Sequence, residues 1–187
     1  MVPMHAIGYA LFDTAIGACG VAWGEHGIVA MQLPESKQAH MRTWLRQRFP
    51  GAEEIAPPAT VQHVIDGVVA LLEGQPIDLH DAPLDLDGIP DFDRRVYALA
   101  QRIPPGQTLT YGEVATRLGE PGTARAVGQA LGRNPFAPVV PCHRVLAAGG
   151  KPGGFSARGG VETKLRMLAI ERARVGDGPD LFDGLPD

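Results

Sequence analysis

The stretch Thr110-Tyr111-Gly112-Glu113-Val114-Ala115-Thr116-Arg117-Leu118-Gly119-Glu120-Pro121-Gly122-Thr123-Ala124-Arg125-Ala126-Val127-Gly128-Gln129-Ala130-Leu131-Gly132-Arg133 decides how the second half of this chain folds. Thr110 and Glu113 form a Thr-x-x-Glu capping box, which predicts a short helix over 111–118 that starts sharply at Tyr111. Residues 119–122 then make a turn, Thr123 caps, and a second helix is expected over 124–133, giving a helix-turn-helix arrangement. Val127 and Leu131 are set to point inward, leaving Ala126, Gly128, Ala130 and Gly132 as a smooth face on which Arg125 and Arg133 are the long side chains. A glycine inside a helix costs about 1 kcal/mol relative to alanine, so two of them call for the close approach of another backbone. That backbone is either a neighbouring helix or the sugar-phosphate chain of a narrow groove. A reader of base edges in the major groove would carry several long polar side chains instead.

Downstream lies Asn134-Pro135-Phe136-Ala137-Pro138-Val139-Val140-Pro141-Cys142-His143-Arg144-Val145. Its prolines restrict themselves and their predecessors to extended conformations, so the segment is expected to be non-helical and to present Cys142 in a fixed place. A structural cysteine acts as a small hydrophobe and needs no polar neighbour, whereas a nucleophilic thiol needs a base or a positive field. His143 supplies one. On an extended segment adjacent side chains point to opposite sides, so contact between the two would run through a water. Residues 147–154 (Ala-Ala-Gly-Gly-Lys-Pro-Gly-Gly) form a loop poor in side chains, with backbone N–H groups free to line a pocket for a flat ring. A last helix is expected from Val161 to about Arg174, with Val161, Leu165 and Leu168 inward and Glu171 near its end.

Upstream, Asp91 opens a helix over 91–102, with Phe92, Val96, Leu99 and Ile103 at helical spacing and Pro104-Pro105-Gly106 as its stop. The apolar runs at 5–13, 17–23 and 28–33 read as a three-stranded antiparallel meander. Ser36 is expected to cap a helix through Met41, Trp44, Leu45 and Phe49, and Thr60 a second with Val64, Ile65, Val68, Leu71 and Leu72 as its stripe. Residues 75–90, rich in Asp and Pro, read as a connection between domains.

The chain has 187 residues, 44% of them hydrophobic, with no run long enough to span a bilayer and no leader-like N-terminus, so the cytosol is the expected compartment. Cys19 and Cys142 are too few for a disulfide framework, and His5, His26, His63 and His80 show no metal-ligand spacing with Cys19; no metal is expected. The net charge of −4 hides a division: residues 1–90 carry a net −7, residues 91–175 a net +7, and residues 176–187 four aspartates. A basic half is the footprint of a polyanion such as DNA.

Together the motifs resemble one family. Pro141-Cys142-His143-Arg144-Val145 is similar to the active-site motif of the O6-alkylguanine-DNA alkyltransferases, the methylated-DNA–protein-cysteine methyltransferases. So, at the family's usual distances, are Ala124-Arg125-Ala126-Val127-Gly128, Arg133-Asn134-Pro135, Tyr111, Gly159-Gly160, Lys164, Leu168 and Glu171, over residues 91–172. The resemblance implies an α/β chain of two domains: a ribonuclease H-like one over 1–86 with a small antiparallel sheet and helices, and a mainly helical winged helix-turn-helix one over 87–175. An acidic, disordered tail would occupy 176–187.

It further implies that Cys142 takes an alkyl group irreversibly from guanine O6, and possible O4-alkylthymine substrates. In that reading His143 is the base acting through a water, Glu171 orients it, and Asn134 braces the turn before the active-site segment. The base would be flipped out of duplex DNA. Arg125 would fill the vacated space, with Tyr111, Ala126, Gly128, Ala130 and Arg133 also on DNA, and Tyr111, Leu131, Val145 and Ser156 would hold the guanine. The implied partner is double-stranded DNA carrying O6-alkylguanine, bound by a monomer without cofactor. Ser156-Ala157-Arg158-Gly159-Gly160 is longer than the family's commoner form, which bears on the pocket lip and the alkyl groups it admits. The zinc ligands of some members do not align. Pro179-Asp180-Leu181-Phe182 faintly resembles peptides that dock on the bacterial sliding clamp. Three other readings stay open on the residues alone: an alkyltransferase-like protein that binds without transfer, a winged-helix regulator with Cys142 as redox sensor, and a cysteine hydrolase.

Overall fold

The structure is a computed structural model, which describes residues 5–175; the expected acidic tail and its Pro179–Phe182 motif lie outside them. The meander forms as β1 (Gly8–Thr14), β2 (Gly17–Gly24) and β3 (Gly27–Gln32), paired antiparallel. After α1 (Gln38–Arg48) a two-residue β4 (Glu53–Glu54) joins β1 in parallel, giving the order β3-β2-β1-β4. This fourth strand was not foreseen: it consists of two exposed glutamates, with no apolar alternation to betray it.

Side chains alternate along β2, and both faces of the sheet are covered. Ala22 packs with Tyr9, Met41 and Leu45 under α1, while Cys19, Val21 and Trp23 face Val61, Val64 and Val68 of α2 (Ala59–Leu72). Neither expected cap forms. The N-cap of α1 is Lys37, with Ser36 Oγ instead 2.8 Å from His40 Nδ1, and α2 starts behind Pro58, whose extended backbone sets the boundary before Thr60 is reached.

The edge strand β3 is where the two halves of the chain meet. Ile28 N–H donates to the Pro83 carbonyl and Met31 N–H to the Pro135 carbonyl, both at 2.8 Å, so the strand's open edge is paired with the connection on one stretch and with the pre-cysteine segment on the next. Gly27, at φ +132°, is required here because a Cβ would stand 2.4 Å from the Pro83 oxygen.

The second half holds α3 (Asp91–Ala100), β5 (Leu109–Thr110), α4 (Tyr111–Arg117), α5 (Ala124–Gly132), β6 (Val145–Leu146) and α6 (Gly160–Ile170), with β5 and β6 parallel. The capping box at α4 is present in full: Glu113 N–H donates to Thr110 Oγ1 at 3.2 Å and Thr110 N–H to Glu113 Oε2 at 2.7 Å. Thr123 is the N-cap residue of α5, but its hydroxyl donates back to the Glu120 carbonyl at 2.7 Å.

The structure departs from the sequence-based expectations at the cysteine and at the last helix. The cysteine does not sit on an extended segment: Cys142–Arg144 is a 3-10 turn, closed by Arg144 N–H on the Pro141 carbonyl at 2.9 Å. Proline constrains itself and its predecessor, so nothing holds the residues after Pro141 extended. The inward face of α6 is Lys164, Met167 and Leu168, while Val161 and Leu165 are exposed; a buried lysine shifts the apolar phase by one position. The helix also stops at Ile170, where Arg172 takes a left-handed φ of +56° and Ala173 N–H returns to the Leu168 carbonyl.

Candidate active site

Cys142 is held by a bracket built from Asn134. The amide Nδ2 of Asn134 donates to the Val140 carbonyl at 2.8 Å, and its Oδ1 accepts from Phe136 N–H at 2.9 Å, closing the proline-rich loop onto its own start. Phe136 is fully buried, edge-on to Tyr97, whose hydroxyl donates to the Ala130 carbonyl at 2.9 Å. The loop is thereby pinned to α3 and α5 as well as to β3.

Beside the cysteine is a buried charged network. Glu171 Oε1 lies 2.7 Å from His143 Nε2 and accepts from Arg144 Nη2 at 2.8 Å, and Oε2 accepts from Arg144 Nε at 2.9 Å. Arg144 Nη1 donates to the Ile103 carbonyl at 2.6 Å. Burial raises the Glu171 pKa, but the hydrogen bonds and charge of His143 and Arg144 outweigh it and hold it at about 2. Burial pushes the His143 pKa down despite Glu171. The state these describe is an ionised Glu171, charged chiefly against Arg144, and a neutral imidazole. A carboxylate accepts only, so Nε2 carries the proton and Nδ1 keeps its lone pair. Nδ1 is buried and has no hydrogen-bond partner among the described residues.

Cys142 is a buried residue, 7% exposed. Burial pushes its pKa up, opposed by the Asn134 side chain, the Lys164 charge and the backbone N–H groups of residues 142 and 143. It rests as a thiol that needs a base before it can attack. Lys164 is fully buried, with Nζ donating to the Val145 carbonyl at 2.7 Å and standing 5.8 Å from the Tyr111 ring centre and 5.9 Å from that of Phe155. Burial lowers its pKa to about 8, while Cys142 acts in the other direction.

Cys142 opens on a cavity of about 550 Å³, in the range of ligand pockets. Of the residues expected to act there, Tyr111, Arg125, Gly128, Leu131 and Ser156 line it together with Cys142. Phe155 and Gln129 also line it and were missed; nothing in an isolated aromatic or amide marked them. Ala130 is fully buried and turns inward, which takes it off the exposed face of α5: it falls three residues after Val127, on the same inward stripe. Ala126 and Arg133 do not line the cavity, and Arg133 is held by two hydrogen bonds, of 3.0 and 3.1 Å, to Asp93. Val145 does not line it either, its carbonyl being engaged by Lys164. Asn134 borders a second, smaller cavity that Cys142, Phe155 and Ser156 also line.

Away from the site, His26 lies with Asp85 and Asp87 in an exposed cluster whose ligand atoms fall within 4.8 Å of one another; His5, Cys19, His63 and His80 do not join it. Cys19 is buried under Thr14, its pKa pushed up to about 12 by that burial.

These features define a class of protein in which a buried thiol, next to a carboxylate-held imidazole, opens on a pocket walled by a small-residue helix. A family model described as 6-O-methylguanine DNA methyltransferase, DNA binding domain, matches residues 91–173. The methylated-DNA–protein-cysteine methyltransferase of Mycobacterium tuberculosis is 37% identical over 178 residues, covering 95% of this chain and 99% of its own. That of Methanothermobacter thermautotrophicus is 37% identical over 152 residues, covering 81% and 78%. The crystal structure of M. tuberculosis OGT in complex with DNA superposes with a TM-score of 0.70 at 34% identity, covering 91% of this chain and 96% of that one. The chain belongs to the methylated-DNA–protein-cysteine methyltransferase family.

Proposed function

We propose that this protein repairs DNA by moving the alkyl group of O6-alkylguanine irreversibly onto Cys142, as a methylated-DNA–protein-cysteine S-methyltransferase that acts once per molecule. The observation that carries the reading is the placement of Cys142 at the wall of the 550 Å³ cavity, with the Glu171-held imidazole of His143 next to it in sequence. His143 Nδ1, which has its lone pair free, takes the thiol proton through a water. Glu171, itself held by Arg144, fixes the tautomer and stabilises the imidazolium that results.

The sulfur then attacks the alkyl carbon, the bond from carbon to O6 breaks, and the purine keeps the bonding pair and is protonated. Tyr111, whose pKa is pushed up by burial and by Cys142, stays a phenol and is the donor at hand. The thioether is not readily hydrolysed, so the protein is a consumed reagent.

Reaching O6 requires the nucleotide to leave the stack. The face of α5 supports a groove-lying role. A Cβ at Gly132 would meet nothing within 4 Å, and one at Gly128 would meet only the Tyr111 ring at 3.8 Å or more. No backbone among the described residues approaches these glycines, which favours an external one, and in this reading α5 lies in the minor groove of duplex DNA. The exposed Arg125 at the start of α5 would occupy the space left by the flipped base. The protein would act as a monomer in the cytoplasm, with the halves 1–86 and 87–175 as supporting and working domains. Resemblance to the ribonuclease H-like and winged helix-turn-helix folds belongs to the same proposal, as does acceptance of O4-alkylthymine.

Arg125→Ala tests the extrusion step. It should slow methyl transfer from a duplex at least ~10-fold while changing transfer from the free base little, because unstacking costs a few kcal/mol only in the duplex. Equal slowing on both substrates would contradict the role given to Arg125.

A further inference from the structure

We infer that Gln129 is a specificity-determining residue that reads the base pairs beside the extruded nucleotide, so that alkyl transfer depends on the sequence around the lesion. The inference rests on the function proposed above, with α5 in the minor groove. Arg125, Gly128, Gln129 and Gly132 stand at i, i+3, i+4 and i+7, which puts them on one stripe of α5, and all four line the 550 Å³ cavity. The inward stripe of Val127, Ala130 and Leu131 is buried.

Gln129 is exposed, and its side-chain amide has no hydrogen-bond partner among the described residues. An exposed glutamine is ordinary on a protein surface; what sets this one apart is the space around it. A Cβ at Gly132 would meet nothing within 4 Å, and one at Gly128 only the Tyr111 ring. Between those two bare positions Gln129 is the side chain that reaches out from the helix, one turn after Arg125. A helical turn is about 5.4 Å long and a base step about 3.4 Å. With Arg125 in the vacated position, the amide four residues on faces the first or second base pair beyond it.

The chemistry of the groove then fixes what the amide selects. In the minor groove an A·T pair offers acceptors only, adenine N3 and thymine O2, whereas a G·C pair adds the guanine N2 donor. A carboxamide carries both kinds of group. Nε2 can donate to an acceptor of any pair, but only guanine lets Oε1 accept at the same time, with Nε2 donating to N3 and the N2 amine donating to Oε1. Gln129 should therefore favour G·C neighbours. In the major groove the same side chain would pair with adenine N6 and N7 and favour A·T neighbours. The sign of the preference thus reports which groove holds α5.

The test measures single-turnover methyl transfer from duplexes in which O6-methylguanine is flanked on each side by two G·C pairs or by two A·T pairs, at protein concentrations below saturation. The natural chain is compared with Gln129→Met, which keeps the reach and the helix propensity but has no amide. Position 129 is exposed, so the change leaves the core untouched. Flanking pairs also alter the cost of unstacking, equally in both proteins, so the quantity read is the G·C-to-A·T rate ratio of the natural chain divided by that of the variant. It should be about fivefold or more, the lower end of what a bidentate contact discriminates. A quotient of one would overturn the role of Gln129 while leaving the transfer reaction standing. A quotient below one would place the amide in the major groove and overturn it as well. Failure of the natural chain to accept methyl from either duplex would overturn the function and this inference with it.

Discussion

Glu171 carries more of the site than any residue except the cysteine, since it both selects the tautomer of His143 and neutralises Arg144. Its pKa is held at about 2 against an ordinary 4.5, and a depressed carboxylate pKa adds stability that is complete above the ordinary value and is lost as pH falls through the folded one. Glu171→Gln should therefore cost about 3 kcal/mol at pH 7. The gap between variant and natural chain should close as the pH is lowered from 4.5 toward 2, measured by urea unfolding across that window. The same change should slow alkyl transfer at neutral pH, because a carboxamide no longer stabilises an imidazolium. Cys142 gives a second test at this scale. With its pKa raised by burial, it should react with iodoacetamide at pH 7 more slowly than a free thiol, and faster than the more deeply buried Cys19. His143 and Glu171 were both legible in the sequence through the motif and the helix end that carry them. The clamp by Arg144 and the burial of Lys164 were not, because charged side chains are read as surface until coordinates show what they satisfy.

The elements around the site differ in how openly the sequence announces them. The start of α4 is fixed by a local side-chain to backbone exchange at Thr110 and Glu113, and local rules find it. The orientation of α6 depends on Lys164 reaching the Val145 carbonyl from a distant part of the chain, so apolar periodicity puts Val161 and Leu165 inside when both are exposed. For α5 the two glycines can be tested directly. Gly132 has free space at its Cβ position and no left-handed φ, so Gly132→Ala should raise stability by about 0.5–1 kcal/mol through helix propensity. On the proposed function the added methyl also obstructs the approach of the DNA backbone, so the same variant should bind duplex DNA less tightly. Higher stability with unchanged binding would show that this face of α5 is not where DNA lies.

At the scale of the whole molecule, one apolar cluster runs from Cys19, Val21 and Met31 of the sheet through Val64 and Val68 to Tyr97, Val127, Phe136, Cys142 and Met167. The division of charge at residue 90 suggested two units, and charge cannot reveal that the edge of β3 is completed by residues 83 and 135. Because the core and the sheet edge are shared, the halves should unfold together. Urea curves followed by the fluorescence of Trp23 and Trp44, both in the first half, should coincide with those followed by helical circular dichroism. Two separated transitions would mean that the first half does not brace the second.

The proposed function stands or falls on what happens to the sulfur of Cys142. The most direct measurement is the mass of the intact protein after incubation with an excess of duplex carrying O6-methylguanine. The predicted result is a gain of one methyl per chain, located on the Cys142 peptide, absent in Cys142→Ala and not increasing with time. An unchanged mass with tight binding, a methyl on another residue, or continued turnover of substrate would contradict it.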